Sequence, residues 1–558
     1  MSLKRGGSSE KTPVELQDKS SVDGSHSADG QTPALGYTPP ARTTKPRLPY
    51  TWQLVMIILT CLCTFGNHWS NGLIVSLKTT IISKTHINNS QFATLVAVTN
   101  LVNTFLCIGL GFYIDKLGGS IMSVILAGFH LSGSMVMAGA STNNLNSYPL
   151  LIAGKVLAAI GDGSLDNAQH RIFSTYFAPG KGFAFSIGKL LYAPPCAIWC
   201  VANLAQFTGQ STANVITRNL GSYSWALWIS AVIAFFSFLC AVAVFFLDRY
   251  LRVRYDITDQ TSGRRHTGKI RPGTFNIRAI KHLPMTFWLV VLFAIFENAG
   301  VQSFVSISTQ FAQQRLQKGA VVGGWVSSFY LLLPAGLTPF LGIYIDMYGQ
   351  RIGFLFVSGL TFLVSMLLLK FSHTVPTFVA AYVFYALSQA VTPAPQVEII
   401  RSIIPDPEYF ATGFAIKKSV VQASIVIITT AAGRLQDLSA TDSLDPAVSL
   451  WLAYAFLSVA VSGFMLAMSY FAPNVEKLAA AQGIVVNKAD RKDDDDDDEV
   501  SDIKLKERML KSPKTRNGVI SWGYLIVALG IIFIGWIMFG LGVNWGVHGS
   551  VVAGTVGE

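Results

Sequence analysis

Three charged side chains lie inside long apolar stretches of the chain, where we expect a charge to have an oppositely charged partner or a function. Asp162 and Asp166 are four residues apart in one stretch, so a helix would place both carboxylates on one face. Lys189 lies in the next stretch, at a matching depth if the two form a helical hairpin centred near Phe177. A carboxylate and an ammonium at one depth could bind the amine and the carboxylate of a zwitterion. The same groups could instead form a structural ion pair that fixes helix packing.

A fourth charge and several amides extend this polar set. Glu297 lies near the middle of a later apolar stretch, where it could bind an amine, carry a proton or hydrogen-bond, protonated, to a neighbouring helix. A charge at mid-membrane costs about 2.5–3.5 kcal/mol on insertion scales, which favours a use or a partner for each. The residues that we expect to bind a substrate are Asp162, Asp166, Lys189, Glu297, Asn67, Asn71 and Gln302.

The composition favours a membrane protein. Of the 558 residues 51% are hydrophobic and 13% are charged, whereas a soluble domain carries about 25% charged residues. The net charge of +11 comes mainly from Lys and Arg between the apolar stretches and in the tails, as topology-setting charges do. No basic face with interleaved aromatic residues occurs, which argues against a nucleic-acid partner. We find no nucleophile, metal or cofactor signature, so neither an enzyme nor a bound cofactor is expected.

Twelve stretches before residue 475 are long enough to cross a bilayer as helices, since about 20 apolar residues span about 30 Å. They lie near 50–76, 91–113, 120–140, 148–170, 183–206, 223–247, 285–306, 322–345, 352–371, 376–399, 412–433 and 447–471. A charge-free run at 518–547 predicts a thirteenth helix. Nine positive charges between Arg249 and Lys281 place that loop, and with it the N-terminus, in the cytosol.

These features divide the chain into seven segments. They are a disordered cytosolic tail (1–48), a first six-helix half (49–247), a basic cytosolic loop (248–284), a second six-helix half (285–472), a disordered linker with an acidic run (473–517), the extra helix (518–547) and a tail (548–558). Asn88 begins a glycosylation sequon in the first non-cytosolic loop. It lies so close to the second helix that we do not expect it to be used.

A duplicated loop indicates that the two halves are homologous. Gly-Phe-Tyr-Ile-Asp-Lys-Leu-Gly at 111–118 follows the second stretch, and Gly-Ile-Tyr-Ile-Asp-Met-Tyr-Gly at 342–349 follows the eighth, 231 residues later. Glycine permits close approach and a tight turn, and the Asp can accept hydrogen bonds at a neighbouring helix N-terminus. We expect a conformational latch formed by Gly111, Asp115, Gly118, Gly342, Asp346, Gly349 and Arg351.

The duplicated Gly-x-x-x-Asp-x-x-Gly pattern resembles the signature loop of the major facilitator superfamily. The fourth stretch is similar to a narrower branch of this superfamily, the lysosomal dipeptide uniporters, or major facilitator superfamily domain-containing protein 1 family. The similarity lies in Gly154-Lys155 and in the run Gly161-Asp162-Gly163-Ser164-Leu165-Asp166-Asn167-Ala168-Gln169. This resemblance implies an all-α membrane fold of two pseudo-symmetric six-helix halves. The tails, the acidic run and the thirteenth helix lie outside it.

The resemblance also implies a function. It is that of a secondary transporter, which moves a dipeptide, an amino acid or another small organic solute across a vacuolar or lysosome-like membrane by alternating access. An accessory membrane glycoprotein is the partner that this branch implies. Two alternatives stay open: an exporter of amphipathic metabolites or drugs at the plasma membrane, and a non-transporting scaffold or receptor acting through its tail.

Overall fold

The computed structural model describes residues 46, 48–176, 194–255, 280–281, 283–372, 374–404, 407–439, 443–472, 478–482 and 518–549. Within these residues the secondary structure is helical throughout, which confirms the predicted all-α class. Eleven of the described helices are long and apolar enough to cross a membrane. Thirteen long helical segments are numbered α1 to α13 below.

The first half consists of six segments. They are α1 (Tyr50–Leu62 and Phe65–Ser76), α2 (Asn89–Leu117), α3 (Gly119–Ala140), α4 (Tyr148–Tyr176), α5 (Pro194–Leu220) and α6 (Tyr223–Arg254). A short helix, Lys78–Thr85, follows α1. Of these segments, α4 and α5 are too polar to count among the eleven apolar helices, because α4 carries the charged side chains of interest and α5 carries buried amides.

The second half repeats this arrangement. Its segments are α7 (Met285–Leu316), α8 (Ala320–Ser328, Phe329–Leu331 and Leu332–Tyr348), α9 (Arg351–Phe371), α10 (Val375–Val391 and Pro393–Ile403), α11 (Pro407–Asp437) and α12 (Asp445–Phe471). Proline explains both interruptions, since it lacks the N–H that would bond four residues back. Pro334 follows the tight turn of α8, and Pro393 follows the break in α10.

The predicted fifth span is displaced along the chain. It was expected at 183–206, whereas α5 runs from Pro194 to Leu220 and residues 177–193 lie outside the described part. The prediction ended too early because polar residues such as Gln210 and Asn214 interrupt the apolar pattern. Both are buried against other helices of the protein, so their amides do not face lipid.

The predicted thirteenth helix is confirmed as α13 (Gly518–His548), which packs against α2 and α11. Trp536 Nε1 donates to Thr104 Oγ1 of α2 at 3.2 Å, and Asn88 Nδ2 donates to the Gly546 carbonyl at 3.0 Å. On the other side, the Arg434 guanidinium of α11 lies 5.6 Å from the centre of the Trp545 ring. The extra helix therefore covers the seam where the two halves meet.

The duplicated loops turn at equivalent glycines, although the second turn has one more residue, Gln350, before the next helix. Gly118 has φ +94° and Gly349 has φ +70°, a region that favours glycine because it has no Cβ. Arg351 Nη2 lies 3.8 Å from the carboxylate of Glu398 in α10. The side chains of Asp115 and Asp346, and Gly342, lie outside the described part, so the latch stays a prediction.

Glycine also allows α3 and α4 to pack backbone to backbone. A Cβ on Gly133 would lie 2.3 Å from the Ala158 nitrogen and 2.5 Å from the Gly154 carbonyl oxygen. In lipid the hydrophobic effect does not drive helices together, so helix association depends on the close packing that small residues at such crossings allow. This contact fixes the position of α4, the helix that carries Asp162.

We expect Gly133→Ala to destabilise the protein by about 1–3 kcal/mol, because neither backbone can retreat without separating the helices. Gly139→Ala is the matched control: it lies on the same helix with nothing within 4 Å of the added Cβ. The thermal unfolding midpoint of the purified protein measures both. Equal midpoints for the two variants would contradict the packing argument.

Candidate functional site

Asp162 of α4 is the centre of a hydrogen-bonded cluster with α1. Asn67 Nδ2 donates to Asp162 Oδ1, and Asn71 Nδ2 donates to Oδ2 at 3.1 Å. Lys155 Nζ, two turns before Asp162 on α4, donates to Asn71 Oδ1 at 2.9 Å. Asn67 and Lys155 are buried, whereas Asp162 and Asn71 are partly exposed. The structure thus brings together three of the predicted site residues and orients one carboxylate with two amides.

Asp166 lies one turn further along α4 and faces α1 as well. Its Oδ1 is 3.7 Å from His68 Nε2, and the two side chains are 35% and 21% exposed. Although each side chain is partly exposed, the two facing atoms are themselves buried, so the contact between them is enclosed. The expected partner Lys189 falls outside the described residues, so the proposed Asp166–Lys189 contact stays a prediction.

Lys418 of α11 supplies a positive charge that the sequence analysis did not include. Its Nζ donates to the Gly163 carbonyl at 3.1 Å and to Asn167 Oδ1 at 3.4 Å, both on α4. The ammonium of the second half therefore lies beside the residue that follows Asp162. In the sequence Lys418 lies only six residues into the span predicted at 412–433, the depth of a charge that sets topology. The structure begins α11 at Pro407, so Lys418 lies 11 residues, or about 16 Å, along the helix.

Glu297 lies apart from this cluster, inside the second half. Ser358 of α9 and Ser388 and Thr392 of α10 donate to its Oε1 at 2.9, 2.9 and 2.6 Å. The side chain is 1% exposed. Its described partners thus belong to α9 and α10, and none of them belongs to α4.

An amide chain connects the neighbourhood of Glu297 with that of Lys418. Asn298 and Gln396 exchange hydrogen bonds at 3.1 and 2.9 Å, and Lys417 Nζ donates to Gln396 Oε1. Gln302, four residues after Asn298 on the same helix face, is exposed. Of the predicted second-half residues, Gln302 is accessible to solvent and Glu297 is enclosed.

The two halves are joined at the end that carries the α1–α2, α7–α8 and α11–α12 connections, which we call the distal end. Asp437, the last residue of α11, accepts from the backbone N–H of Asn89 at 3.0 Å and of Ser90 at 2.9 Å. These are the first two residues of α2, so a carboxylate of one half caps a helix of the other. Lys78 Nζ donates to Gln436 Oε1 at 3.0 Å beside this contact.

A second group of contacts closes the distal end between α5 and the second half. Gln210 Nε2 lies 3.0 Å from Ser327 Oγ of α8 and 3.3 Å from Ser308 Oγ of α7. Asn214 Nδ2 donates to the Ala320 carbonyl at 3.0 Å. The amides that shorten the apolar pattern of α5 thus also help to hold the halves together.

Asn88 is not available for glycosylation in this conformation. It is 1% exposed, its Oδ1 accepts from the Gln91 backbone N–H at 2.8 Å, and its Nδ2 bonds α13. The amide is therefore used as a helix cap. That the sequon goes unused stays a prediction.

Comparisons with known proteins agree with this architecture. The family model of the Major Facilitator Superfamily matches residues 60–323 and 304–554. The lysosomal dipeptide transporter MFSD1 of Danio rerio is 21% identical over 409 residues, covering 73% of this chain and 86% of that protein. The Mus musculus protein of the same name is 22% identical over 426 residues, covering 75% and 88%. The resemblance to this branch is therefore confirmed.

The fold is also similar to that of a solved transporter. The crystal structure of the nucleoside transporter NupG superposes with a TM-score of 0.52 at 11% identity, covering 75% of this chain and 99% of that one. At this identity the likeness concerns the fold alone. Two six-helix halves, a duplicated loop and a family match over most of the sequence lead to one conclusion: the chain belongs to the Major Facilitator Superfamily and is a secondary transporter.

Proposed function

We propose that the chain transports a small zwitterion, and that a short peptide with free termini is its substrate class. The observation that carries this proposal is the opposition of two charges from opposite halves. The Asp162 carboxylate belongs to α4 of the first half. The Lys418 ammonium belongs to α11 of the second half and lies 3.1 Å from the carbonyl of Gly163, the residue after Asp162. A carboxylate can bind an α-amine, and a lysine can bind a carboxylate.

The arrangement gives a physical reason for a substrate to change the conformation. A solute bound at one end by the first half and at the other by the second favours the state in which both contacts are made. Only such a difference in affinity between two states can shift their populations. Lys418 now bonds a carbonyl and an amide of α4, which a substrate carboxylate would replace with a charge-assisted contact.

Similarity supports the dipeptide as the particular solute and the lysosome-like membrane as the location. Relatives named lysosomal dipeptide transporter are 21–22% identical to this chain. An accessory membrane glycoprotein, implied by the same resemblance, belongs to this proposal. With the N-terminus in the cytosol, the distal end would face the lumen and the structure would represent a lumen-closed state.

A substrate panel in proteoliposomes tests the proposal. We expect uptake of an unmodified labelled dipeptide, and at least about tenfold lower uptake when its amine is acetylated or its carboxylate amidated, because each change removes one charge-assisted hydrogen bond. Protein-free liposomes are the control. Equal transport of blocked and free peptides, or no saturable uptake of any zwitterion, would reject the proposal.

A further inference from the structure

The first part of α13, residues 518–535, packs on the second half, and we call it the anchor segment. Ser521 Oγ donates to the Leu283 carbonyl at 2.8 Å. The centre of the Tyr524 ring lies 5.8 Å from that of Trp288 in α7. Two apolar side chains further along the segment are buried in a cluster with residues of α7 and α11. The anchor segment should therefore move with the second half.

The second part of α13, residues 536–548, contacts both halves, and we call it the bridging segment. It begins with Trp536, which bonds α2 as described above. A Cβ added to Gly542 would lie 3.3 Å from Thr94 Oγ1 of α2 and 2.6 Å from Thr430 Cγ2 of α11. The bridging segment thus lies against one helix of each half, in the part of both helices that approaches the distal end.

The described side chains of α2 become more exposed towards its other end. The Phe105 ring still lies 5.5 Å from that of Trp536. Tyr113 and Leu117, about two and three turns further along α2, are 50% and 44% exposed. A Cβ added to Gly111 would meet nothing within 4 Å. The contacts between α13 and α2 that the structure describes are therefore concentrated in the distal part of α2.

We propose that α13 is a brace that favours closure of the distal end. When a transporter of this fold opens at one end, its two halves rock apart there, so distal opening separates α2 from α11. A helix that moves with the second half then loses its contacts with α2, and these contacts persist only while the distal end is closed. Interactions made in one state and absent from the other shift the equilibrium towards the first. The brace therefore acts whichever solute is carried.

The reactivity of a thiol behind the distal contacts measures this equilibrium. Ser306 of α7 is 6% exposed and lines a small cavity between the halves, together with Lys78 and Thr429. In a full-length protein without its six native cysteines, the thiol introduced by Ser306→Cys should react with a hydrophilic maleimide only when the distal end opens. When this reaction is slow relative to closing, its rate is proportional to the open fraction, so even a rare open state is measured.

Two variants of α13, each combined with Ser306→Cys, separate the bridging segment from the anchor segment. Trp536→Leu loses the hydrogen bond and the ring contact with α2, and we expect it to raise the alkylation rate about tenfold. Tyr524→Leu removes a ring that contacts α7 and should leave the rate nearly unchanged. A thiol introduced by Ser365→Cys, buried inside the second half, reports global unfolding and should react equally slowly in both variants.

A second pair of variants keeps the test decisive if Trp536→Leu does not fold. A Cβ added to Gly546 would lie 2.6 Å from Gln91 Cγ of α2, whereas one added to Gly540 would meet nothing within 4 Å. Gly546→Val should therefore raise the rate at least about fivefold, and Gly540→Val should not. Equal rates in each variant and its control, or equal acceleration at Ser365→Cys, would overturn the proposal. Because no transported solute is needed, these outcomes are separate from those of the zwitterion test.

Discussion

Uptake of an unmodified dipeptide is expected to fall about 10- to 100-fold in Asp162→Asn. The change removes the carboxylate that we assign to the substrate amine, and a hydrogen bond to a charged group contributes about 1.5–3 kcal/mol. It also turns an NH2 group towards Asn67 and Asn71, which donate to the two carboxylate oxygens. Initial rates in proteoliposomes, normalised to the amount of monodisperse protein, give the measurement.

Comparison of two substrates separates binding of the amine from loss of structure. An N-acetylated dipeptide has no amine for Asp162 to bind, so the variant and the wild type should transport it equally poorly. The losses of uptake caused by Asp162→Asn and by acetylation of the peptide amine are then strongly non-additive, as expected of groups in direct contact. Additive losses would show that Asp162 acts elsewhere. Asp162→Glu, which keeps the charge, should recover part of the activity with the free peptide.

The distal end is expected to open in Asp437→Asn. The Asp437 carboxylate accepts from the backbone N–H groups of Asn89 and Ser90 and from the Ser90 hydroxyl, and it lies at the N-terminus of α2. An amide carries no charge and keeps one acceptor oxygen, so we expect a loss of about 1.5–3 kcal/mol. This corresponds to a shift of about 10- to 100-fold in the equilibrium between distally closed and open states.

Distances between spin labels at the distal end measure this equilibrium. Lys84 and Lys318 are exposed and lie on opposite halves, so labelled cysteines at these positions, in a protein without its six native cysteines, report the separation. A longer distance should gain population in Asp437→Asn. Asp445→Asn is the matched control, because Asp445 pairs with Arg315 inside the second half. If both variants gave the wild-type distribution, the cap would not hold the halves together.

Predictions that depend on local pattern were met by the structure. Length, hydropathy and charge spacing indicated thirteen helices and a duplicated unit, and α13 ends within one residue of its predicted limit. The glycines at equivalent places in the two loops, Gly118 and Gly349, adopt positive φ in both halves. Asp162, Asn67 and Asn71, all predicted to bind the substrate, contact one another, whereas their role in substrate binding stays a prediction.

Predictions that depend on which helix faces which were less complete. Gln210 and Asn214 shortened the predicted fifth span, although their amides are satisfied by helices distant in sequence. Glu297 was grouped with the substrate residues, whereas its hydroxyl partners come from α9 and α10. Polarity shows that a side chain needs a partner, but it does not show on which helix that partner lies.

The adjacent residues Lys417 and Lys418 illustrate the division most clearly. The sequence alone determined that the chain forms two six-helix membrane halves, because periodicity and hydropathy are properties of each segment. Only the tertiary structure decided that one lysine bonds Gln396 in its own half while its neighbour reaches α4 in the other. Consecutive residues point about 100° apart on a helix, so the packing of other helices around α11 assigns each ammonium its role.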